Sequence, residues 1–310
     1  MKISVILATY NEEKNIKDCL ESVKDLADEI VIVDGTSTDK TVEIASRYTK
    51  KIFIRENPLM FHKNKQYAIE KATGDWILYL DADERVTSDL EKEIKSKIHP
   101  PAGRAGNPKS KVNGFWIPRK NIIFGKWIRH TGWWPDYQLR LFRRGKAFLP
   151  CKSVHEQPQL TGKADYLKNP LIHYNYQTVS QFVQKLNALY TENDKNVFLA
   201  ERKKFNWQDV IQFPAAEFLK RFFRQEGYKD GFHGLVLSIL QAFSAFVTFA
   251  KIWEQQGFLE IKPNDFVQKI EKENHKFSKE FKYWFLTYQV AQVENKFKKI
   301  ILKIKRKLNQ

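Results

Sequence analysis

The feature that most constrains this 310-residue chain is the alternation of short apolar runs with helical patterns near its start. The apolar runs occupy residues 3–8, 29–33, 51–54 and 75–80. Continuous apolar runs of this length are typical of strands that are buried on both faces. Because helical patterns separate them, the sequence predicts an α/β fold with a parallel sheet covered by helices on both sides. In such sheets, ligands bind beyond the carboxyl ends of the strands.

Polar side chains follow three of these runs at the point where each strand is expected to end. The three groups are Thr9, Tyr10, Asn11 and Glu12; Asp34 to Asp39; and Asp81 to Glu84. The carboxyl ends of parallel strands meet at one edge, so the sequence predicts a single polar site there. Two carboxylates in Asp81-Ala82-Asp83 can hold Mg²⁺, which keeps positions open for phosphate oxygens, or Mn²⁺. A solvated acidic turn is the alternative for this triplet.

The second polar group contains two aspartates with different expected roles. Asp34 ends its strand, where a carboxylate can accept a hydrogen bond from the imide N–H of a uracil ring. The neighbouring group from Thr9 to Glu12 can then hold the base and the ribose through its backbone and Tyr10. Asp39 precedes the next helix, where capping near the positive end of the helix dipole is an alternative to a ligand role.

In combination, these segments resemble glycosyltransferase family 2. The resemblance rests on Ser4 to Glu12, Ile32 to Thr41 and Gly74 to Glu84. It implies a GT-A fold, a mostly parallel sheet flanked by helices, and inverting transfer from a nucleoside-diphosphate sugar. The chain departs from the family at Asp34-Gly35-Thr36-Ser37, because family members more usually have Asp-Asp-Gly-Ser or Asp-Ser-Gly-Ser. Glycine and threonine therefore look exchanged here.

The resemblance also implies roles for individual residues in the first half of the chain. Asp34 is expected to read the nucleobase, and Asp39 to support the donor site. Asp83 is expected to bind the divalent metal, Mn²⁺ or Mg²⁺, at the diphosphate, with Asp81 nearby. Lys65 falls where the family often has a basic residue that faces the donor.

Motifs in the second half extend the resemblance. Gly132 to Arg143, Val154 to Glu156, Leu171 to Tyr174, Phe232 to Gly234 and Ala250 to Glu254 are similar to a bacterial subgroup that includes lipopolysaccharide core β-1,4-glucosyltransferases. Inverting transfer needs a base to take the proton of the acceptor hydroxyl. Asp136 lies where the family places its catalytic acidic residue, and Glu156 is the second candidate.

Three further residues of these motifs keep two interpretations each. Arg140 and Arg143 can bind the acceptor or a phosphate, or they can be ion-pair partners that stabilise the fold, including partners of Asp136. His155 can ligate the metal or contact the acceptor, because a histidine is largely neutral near pH 7. A purely structural role for His155 is equally open.

Composition changes along the chain and suggests two domains. Residues 1–177 are expected to form the GT-A domain, with a donor-binding half over about 1–98 and an acceptor half over about 114–177. Residues 99–113, rich in Pro, Gly and Lys, are expected to be a loop between the halves. Residues 178–310 are expected to form a helical, basic region that associates with membranes.

The net charge of +17 implies an anionic partner. The cations cluster with aromatic and aliphatic residues, as in the tail over 277–307, which favours an anionic membrane surface. A solvated helix face is the alternative for this tail. Residues 232–250 are apolar and predict a buried or membrane-surface helix, with a membrane span as the alternative. No nucleic-acid partner is expected, because no nucleic-acid-binding module is recognised.

Two cysteines without a spacing pattern, and an N-terminus that runs directly into a strand, favour a reducing compartment without secretion. We therefore expect a cytoplasmic enzyme, peripheral on the inner face of the cytoplasmic membrane. The expected donor is a UDP-sugar, and the expected acceptor is a glycolipid or glycan such as the lipopolysaccharide core. A basic nucleic-acid-binding protein and a transferase-like scaffold without activity remain the alternatives.

Overall fold

The computed structural model describes residues 1–58, 60–98, 112–152, 156–201, 205–261 and 264–308. The chain divides into two compact units. The first comprises Met1–Ile123 and Trp134–Asn175, and the second comprises Phe124–Trp133 and Tyr176–Gln310. Nothing in the sequence pattern indicates that residues 124–133 belong to the second unit. His155 and residues 99–111 of the predicted loop lie outside the described residues.

The first unit is an α/β structure. Its first six strands are β1 Ile3–Thr9, β2 Glu29–Asp34, β3 Ile52–Ile54, β4 Trp76–Leu80, β5 Glu84–Val86 and β6 Val112–Ile123. The next strand of the chain, β7 Lys126–Trp127, belongs to the second unit. The remaining strands of the first unit are β8 Asp136–Arg143, β9 Ala147–Phe148, β10 Gln159–Leu160, β11 Lys163–Tyr166 and β12 Leu171–Tyr174. Its helices are α1 Ile16–Glu21, α2 Thr41–Ala45, α3 His62–Lys71 and α4 Ser88–Ile98. The four early strands lie where the apolar runs predicted them.

The strand order brings several chain segments to one edge of the sheet. The sheet runs β3-β2-β1-β4-β8-β6-β12-β5, and β11 also pairs with β6. Strands β3, β2, β1 and β4 are parallel, so Thr9 lies beside Asp34 at their carboxyl ends. Strand β8 is antiparallel to β4 and therefore begins, at Asp136, at the edge where β4 ends.

Apolar side chains cover both faces of the sheet. Val5 and Leu7 of β1 pack with residues of α1 and α4, including Leu20 and Leu90. Ile6, between them, points to the other face and packs with residues of α3. Successive strand residues alternate between faces, so a strand covered on both sides must be apolar throughout. The predicted sheet with helices on both faces is confirmed.

The second unit is mostly helical, as the sequence predicted for the C-terminal region. Its helices are α5 Val179–Lys185, α6 Thr191–Ala200, α7 Asp209–Leu219, α8 Phe232–Gln255, α9 Phe266–Gln292 and α10 Lys296–Lys307, with π-helical stretches over Leu186–Tyr190 and Lys220–Arg224 and a 3₁₀ turn over Gly227–Asp230. Among the described residues, α8 is the one helix long and apolar enough to cross a membrane by length and composition. Its apolar window is 28 % buried, which is low for a core helix.

Asp230 explains why residues 124–133 belong to the second unit. Its buried carboxylate accepts hydrogen bonds from the backbone N–H groups of Arg129 (3.3 Å) and His130 (2.8 Å). Nδ1 of His130 lies 3.2 Å from the same carboxylate, and Nζ of Lys126 donates to the carbonyl of Asp230. One buried carboxylate therefore satisfies several polar groups of this segment. Burying those groups without hydrogen-bond partners would cost free energy.

Candidate active site

Asp34 lies at the carboxyl end of β2 with no exposed surface. It accepts hydrogen bonds from Oγ1 of Thr9 (2.9 Å) and from the backbone N–H (2.7 Å) and Oγ (2.6 Å) of Ser37. These bonds hold the turn after β2 against the end of β1. A nucleobase reaches Asp34 only if this turn moves, so base reading by Asp34 stays a prediction.

The loop after β1 is joined to the turn after β2 by Asn11. The backbone N–H of Asn11 donates to Oγ of Ser37 (2.8 Å), and Oδ1 of Asn11 accepts from the backbone N–H of Thr38 (2.9 Å). Glu12 instead supports the start of α1, where its carboxylate accepts from Nδ2 of Asn15 (2.8 Å). The structure thus brings the first two polar strand ends together, as the sequence predicted.

Asp39 fastens the same two loops to each other. It accepts hydrogen bonds from the backbone N–H groups of Thr41 (2.9 Å) and Glu13 (3.1 Å). Burial alone raises the pKa of Asp39, but the hydrogen bonds from Thr41 and Glu13 outweigh it, so the pKa lies below its usual value. This arrangement joins the two loops and satisfies a backbone N–H at the start of α2, and support of a donor site by Asp39 stays a prediction.

The backbone conformation at Gly35 and Thr36 bears on the apparent exchange of glycine and threonine in this turn. Thr36 has a φ of 63°, in the left-handed region that usually favours glycine. A Cβ at Gly35 would lie 3.0 Å from Cβ of Asn57, which is tighter than ordinary contact. The backbone therefore has the left-handed residue at the third position, where the family more usually has glycine, while a side chain at the second position would crowd Asn57.

Asp81 is the centre of a charged cluster beyond the end of β4. One carboxylate oxygen lies 2.6 Å from Nζ of Lys65, and the other lies 2.5 Å from Nη2 of Arg140. Both cations also lie against the ring of Tyr79. Burial alone raises the pKa of Asp81, but Arg140 and Lys65 outweigh it and hold the pKa well below its usual range. The structure thus places Lys65, Asp81 and Arg140 together.

The cluster continues through Glu84 and Arg119, to which the sequence assigned no individual role. Glu84, with no exposed surface, lies 2.7 Å from Nη2 of Arg140. Nη1 of Arg119 lies 3.6 Å from the same oxygen of Glu84, and Nη2 of Arg119 lies 2.6 Å from Oδ2 of Asp136. A chain of alternating charges therefore connects Asp81 to Asp136.

Asp136 is held by donors from β6 and from its own strand, β8. Its Oδ2 accepts from Arg119 and from Nδ2 of Asn121 (3.1 Å), and its Oδ1 accepts from Nε2 of Gln138 (2.6 Å). Burial alone raises the pKa of Asp136, but Arg119 and the two amides outweigh it, so the pKa lies below its usual value. The ion-pair partner of Asp136 is Arg119, whereas the sequence suggested Arg140 or Arg143.

Asp83 and Asp136 are connected through two residues. Nε2 of His173 lies 3.5 Å from Oδ2 of Asp83, and Nδ1 of His173 lies 2.6 Å from Oδ1 of Asn121. Asn121 also donates to Asp136. The strand order explains this contact, because β12 pairs His173 with Asn121 of β6 and with Glu84 of β5.

The remaining predicted residues lie at different places. Tyr10 is exposed at the carboxyl edge. Glu156 lies 3.4 Å from Nδ1 of His62 and accepts from the backbone N–H of Lys152. The structure does not bring Arg143 to this edge: its guanidinium stacks on Trp76, where β4 begins, because β8 carries it to the far end of the sheet.

Asp83 and His173 are the residues of this edge that could hold a metal, and the metal role of Asp83 stays a prediction. Among the described residues, no three acidic, histidine or cysteine side chains converge on one point. Both oxygens of Asp81 face a cation, which opposes binding of a further cation there, so its metal role stays a prediction. Mg²⁺ is usually held by one or two carboxylates with substrate phosphates and water. Asp83 fits the carboxylate of such a site, and His173 lies beside it.

Three residues of the cluster were not singled out from the sequence: Arg119, Asn121 and His173. Glu84 belonged to the predicted polar group from Asp81 to Glu84 but was given no role of its own. His173 lies in a segment, Leu171 to Tyr174, that carried part of the family resemblance, so that segment held a signal. Arg119 and Asn121 lie in a long strand without a recognisable motif. Their spacing of two positions, which places both side chains on the same face of β6, is the signal that could have found them.

Comparison with known proteins identifies the domain. Residues 4–156 match the family described as Glycosyl transferase family 2. The chain carries a family 2 glycosyltransferase domain and is a glycosyltransferase. The GT-A class of fold that the resemblance implied is thereby confirmed, with its mixed, mostly parallel sheet and flanking helices.

Relatives with similar sequences are also glycosyltransferases. An uncharacterized glycosyltransferase of Rickettsia typhi is 29% identical over 264 residues, which cover 82% of this chain and 87% of the relative. The lipopolysaccharide core biosynthesis glycosyltransferase LpsC of Rhizobium meliloti is 27% identical over 271 residues, which cover 85% of this glycosyltransferase and 96% of LpsC. The structure of S. aureus TarS residues 1–349 is similar with a TM-score of 0.42 and 16% identity, covering 81% and 92% of the two chains.

Proposed function

We propose that this glycosyltransferase moves a hexose, such as glucose, from a nucleoside-diphosphate sugar to a cell-envelope glycan, with inversion at the anomeric carbon. The family supports sugar transfer, and the name of the relative LpsC supports a lipopolysaccharide core acceptor. The observation that carries the proposal is the connection of Asp83 to Asp136 through His173 and Asn121. It links a carboxylate suited to the diphosphate end of the donor with one suited to take a proton.

The donor is a uridine-diphosphate sugar bound at the carboxyl edge of β1, β2 and β4. The joined loops around Asn11 and Asp39 frame the base and ribose. Tyr10 is exposed beside them, and an exposed aromatic ring can stack on a base. Lys65 faces the donor side of the cluster, where burial lowers its pKa but Asp81 outweighs this and keeps the ammonium charged.

Asp83, with His173 beside it, would hold a divalent cation, Mn²⁺ or Mg²⁺, together with diphosphate oxygens. When bound, it neutralises charge that develops on the leaving diphosphate. The charge balance of the cluster supports this. The cluster contains three cations, Lys65, Arg119 and Arg140, and four carboxylates, Asp81, Asp83, Glu84 and Asp136, which leaves a net charge of −1 before His173 is counted. A diphosphate adds more negative charge, which a divalent cation offsets.

Asp136 takes the proton of the acceptor hydroxyl. Among the described residues, its Oδ1 accepts a hydrogen bond from Gln138 alone and so retains a lone pair for the incoming proton, whereas Oδ2 is held by Arg119 and Asn121. The acceptor oxygen forms a bond to the anomeric carbon as the carbon–oxygen bond to the diphosphate breaks. The electron pair leaves with the diphosphate. A single displacement of this kind inverts the anomeric centre. Glu156 is the second candidate for the base.

The acceptor is a lipid-linked, phosphorylated glycan presented at the inner face of the cytoplasmic membrane, where the protein is peripheral. The net charge of +17 favours both acidic headgroups and phosphorylated sugars. The largely unburied apolar helix α8 is consistent with contact to a membrane. Nucleic acid is not expected to be a partner.

The test is a panel of nucleotide sugars incubated with the purified protein, Mn²⁺ and truncated lipopolysaccharide core. We expect one uridine-diphosphate hexose to raise the melting temperature and to be consumed, and NMR of the product to show the inverted anomeric configuration. Retention of configuration would overturn the displacement mechanism. If the protein consumes no nucleotide sugar of the panel and none of them raises its melting temperature, the donor assignment is overturned.

A further inference from the structure

Helix α10 has its apolar face turned towards solvent. The side chains of this face, spaced as on one side of a helix, are Phe297, Ile300, Ile301, Ile304 and Leu308, and their exposed fractions are 73, 56, 39, 56 and 81 %. Every residue of α10 is described, and none of them is buried. A surface helix of a soluble protein normally turns its apolar stripe to the core. This helix does the opposite.

The opposite side of α10 is its least exposed side. Lys299, Leu302 and Arg306 are half-buried, and the guanidinium of Arg306 lies 5.8 Å from the ring of Tyr283 in α9. The helix therefore rests on α9 through a mainly basic side. This orientation leaves the apolar stripe available to something outside the chain.

Lysines border the stripe on both sides. By helical spacing, Lys298 and Lys305 lie along one flank, and Lys296, Lys303 and Lys307 lie along the other. The helix contains no acidic residue. A long apolar stripe between two rows of lysines matches a bilayer of anionic lipids, because the stripe enters the acyl boundary while the ammonium groups reach the headgroups.

We propose that α10 is a membrane-binding helix that inserts this stripe into an anionic lipid surface. Charge complementarity selects this occupant over a second copy of the chain, since two α10 helices would bring their lysine rows together. The proposal rests on the proposed function in that it names the element that holds the enzyme at the surface where its acceptor is presented. It does not depend on which sugar is transferred.

The test measures binding of the full chain to vesicles without donor or acceptor. Vesicles of phosphatidylcholine with phosphatidylglycerol are compared with phosphatidylcholine alone, at about 50 mM and about 500 mM salt, since salt screens the headgroup charge. We expect binding to the anionic vesicles at low salt. The Ile300→Ser/Ile304→Ser variant should bind about tenfold or more weakly at low salt, because it loses apolar insertion.

Two further variants separate charge from insertion. Lys298→Gln/Lys303→Gln/Lys305→Gln should weaken binding on the order of 10²-fold at low salt, about fivefold for each lysine. At high salt the difference should shrink. The matched control is Val197→Ser/Val267→Ser, which removes two exposed valines of α6 and α9 and should bind as the unmodified chain does.

Several outcomes would overturn the inference: no binding of the unmodified chain to anionic vesicles at low salt, equal binding by the Ile300→Ser/Ile304→Ser variant, or a concentration-dependent dimer that this variant abolishes. Tighter binding to duplex DNA than to the vesicles would also overturn it. Donor turnover is measured separately on the same proteins. Its absence in all of them would contradict the proposed function and leave the vesicle result to decide the role of α10.

Discussion

Arg119 and Asp136 face each other in register across strands β6 and β8, with Nη2 of the arginine 2.6 Å from Oδ2 of the aspartate. The pair lies at the edge of the sheet where β4 ends, beside the cluster around Asp81. The guanidinium of Arg119 bonds to one oxygen of Asp136, and its charge helps to lower the pKa of the carboxyl group although burial raises it. The contact therefore orients the candidate base and keeps it ionised.

Asp136→Asn should reduce kcat about 10²-fold or more, which is the usual scale for the loss of a general base. The amide has nearly the same size but cannot take the acceptor proton. Donor affinity, measured by calorimetry with the uridine-diphosphate sugar, should change little. If this variant turns over at the normal rate, the same measurement on Glu156→Gln decides whether Glu156 is the base.

Arg119→Gln should make transfer sensitive to mild acid. The reaction needs ionised Asp136. Its pKa lies below the ordinary aspartate pKa of about 3.9, so the carboxyl group stays ionised in mild acid. The rate of the unmodified enzyme should therefore hold from pH 7 to pH 5. Removal of the guanidinium raises the pKa, so the acid limb of kcat/KM should move to higher pH. Arg143 lies at the opposite end of β8 from Asp136. Arg143→Gln is therefore the control and should leave the pH profile of kcat/KM unchanged.

Asp83→Asn should abolish the dependence of donor binding on Mn²⁺ or Mg²⁺. In the unmodified enzyme, the thermal stabilisation by donor should disappear in EDTA and return with either metal. In Asp83→Asn, the thermal stabilisation by donor should be weak both in EDTA and with added metal, while the melting temperature without donor changes little. Full transfer activity of Asp83→Asn in EDTA would contradict the metal assignment.

Asp81→Asn should instead destabilise the fold by about 3–5 kcal/mol, because it leaves the buried Lys65 and Arg140 short of negative charge. The free energy of unfolding from urea denaturation measures this. The depressed pKa of Asp81 gives the sign of the pH dependence: its contribution is fully present above the ordinary aspartate pKa and is lost as pH falls through the folded-state value. In Asp81→Asn this acid-dependent loss should be smaller. Equal stability of Asp81→Asn and Asp83→Asn would show that the Asp81 pairs contribute nothing.

Thr36→Gly should stabilise the protein by roughly 1 kcal/mol. A left-handed backbone costs a residue with a side chain about 1–2 kcal/mol, which exceeds the entropic cost of glycine of about 0.5–1 kcal/mol. Gly35→Ala should destabilise it, because its Cβ would crowd Asn57. Urea denaturation of both variants checks the two signs, and a loss of stability in Thr36→Gly would contradict the strain at this position.

The sequence alone determined the sheet and its polar edge. Apolar runs of strand length separated by helical patterns leave few alternatives to a covered parallel sheet, and parallel strands bring Thr9, Asp34 and Asp81 to one edge by geometry. The family motifs then predicted sugar transfer. These signals are local, because each depends on residues a few positions apart along the chain.

Only the tertiary structure decided which charges face one another. Arg119 meets Asp136 and His173 approaches Asp83 because β8, β6, β12 and β5 lie side by side in an order that no local pattern reveals. The same holds for Arg143, which the length of β8 carries away from the site, and for α10, whose apolar face is outward only because its basic side rests on α9. Pairing between strands distant in sequence depends on packing of the whole sheet, so residue types and spacing predict Asp83 and Asp136 but not the residues that meet them.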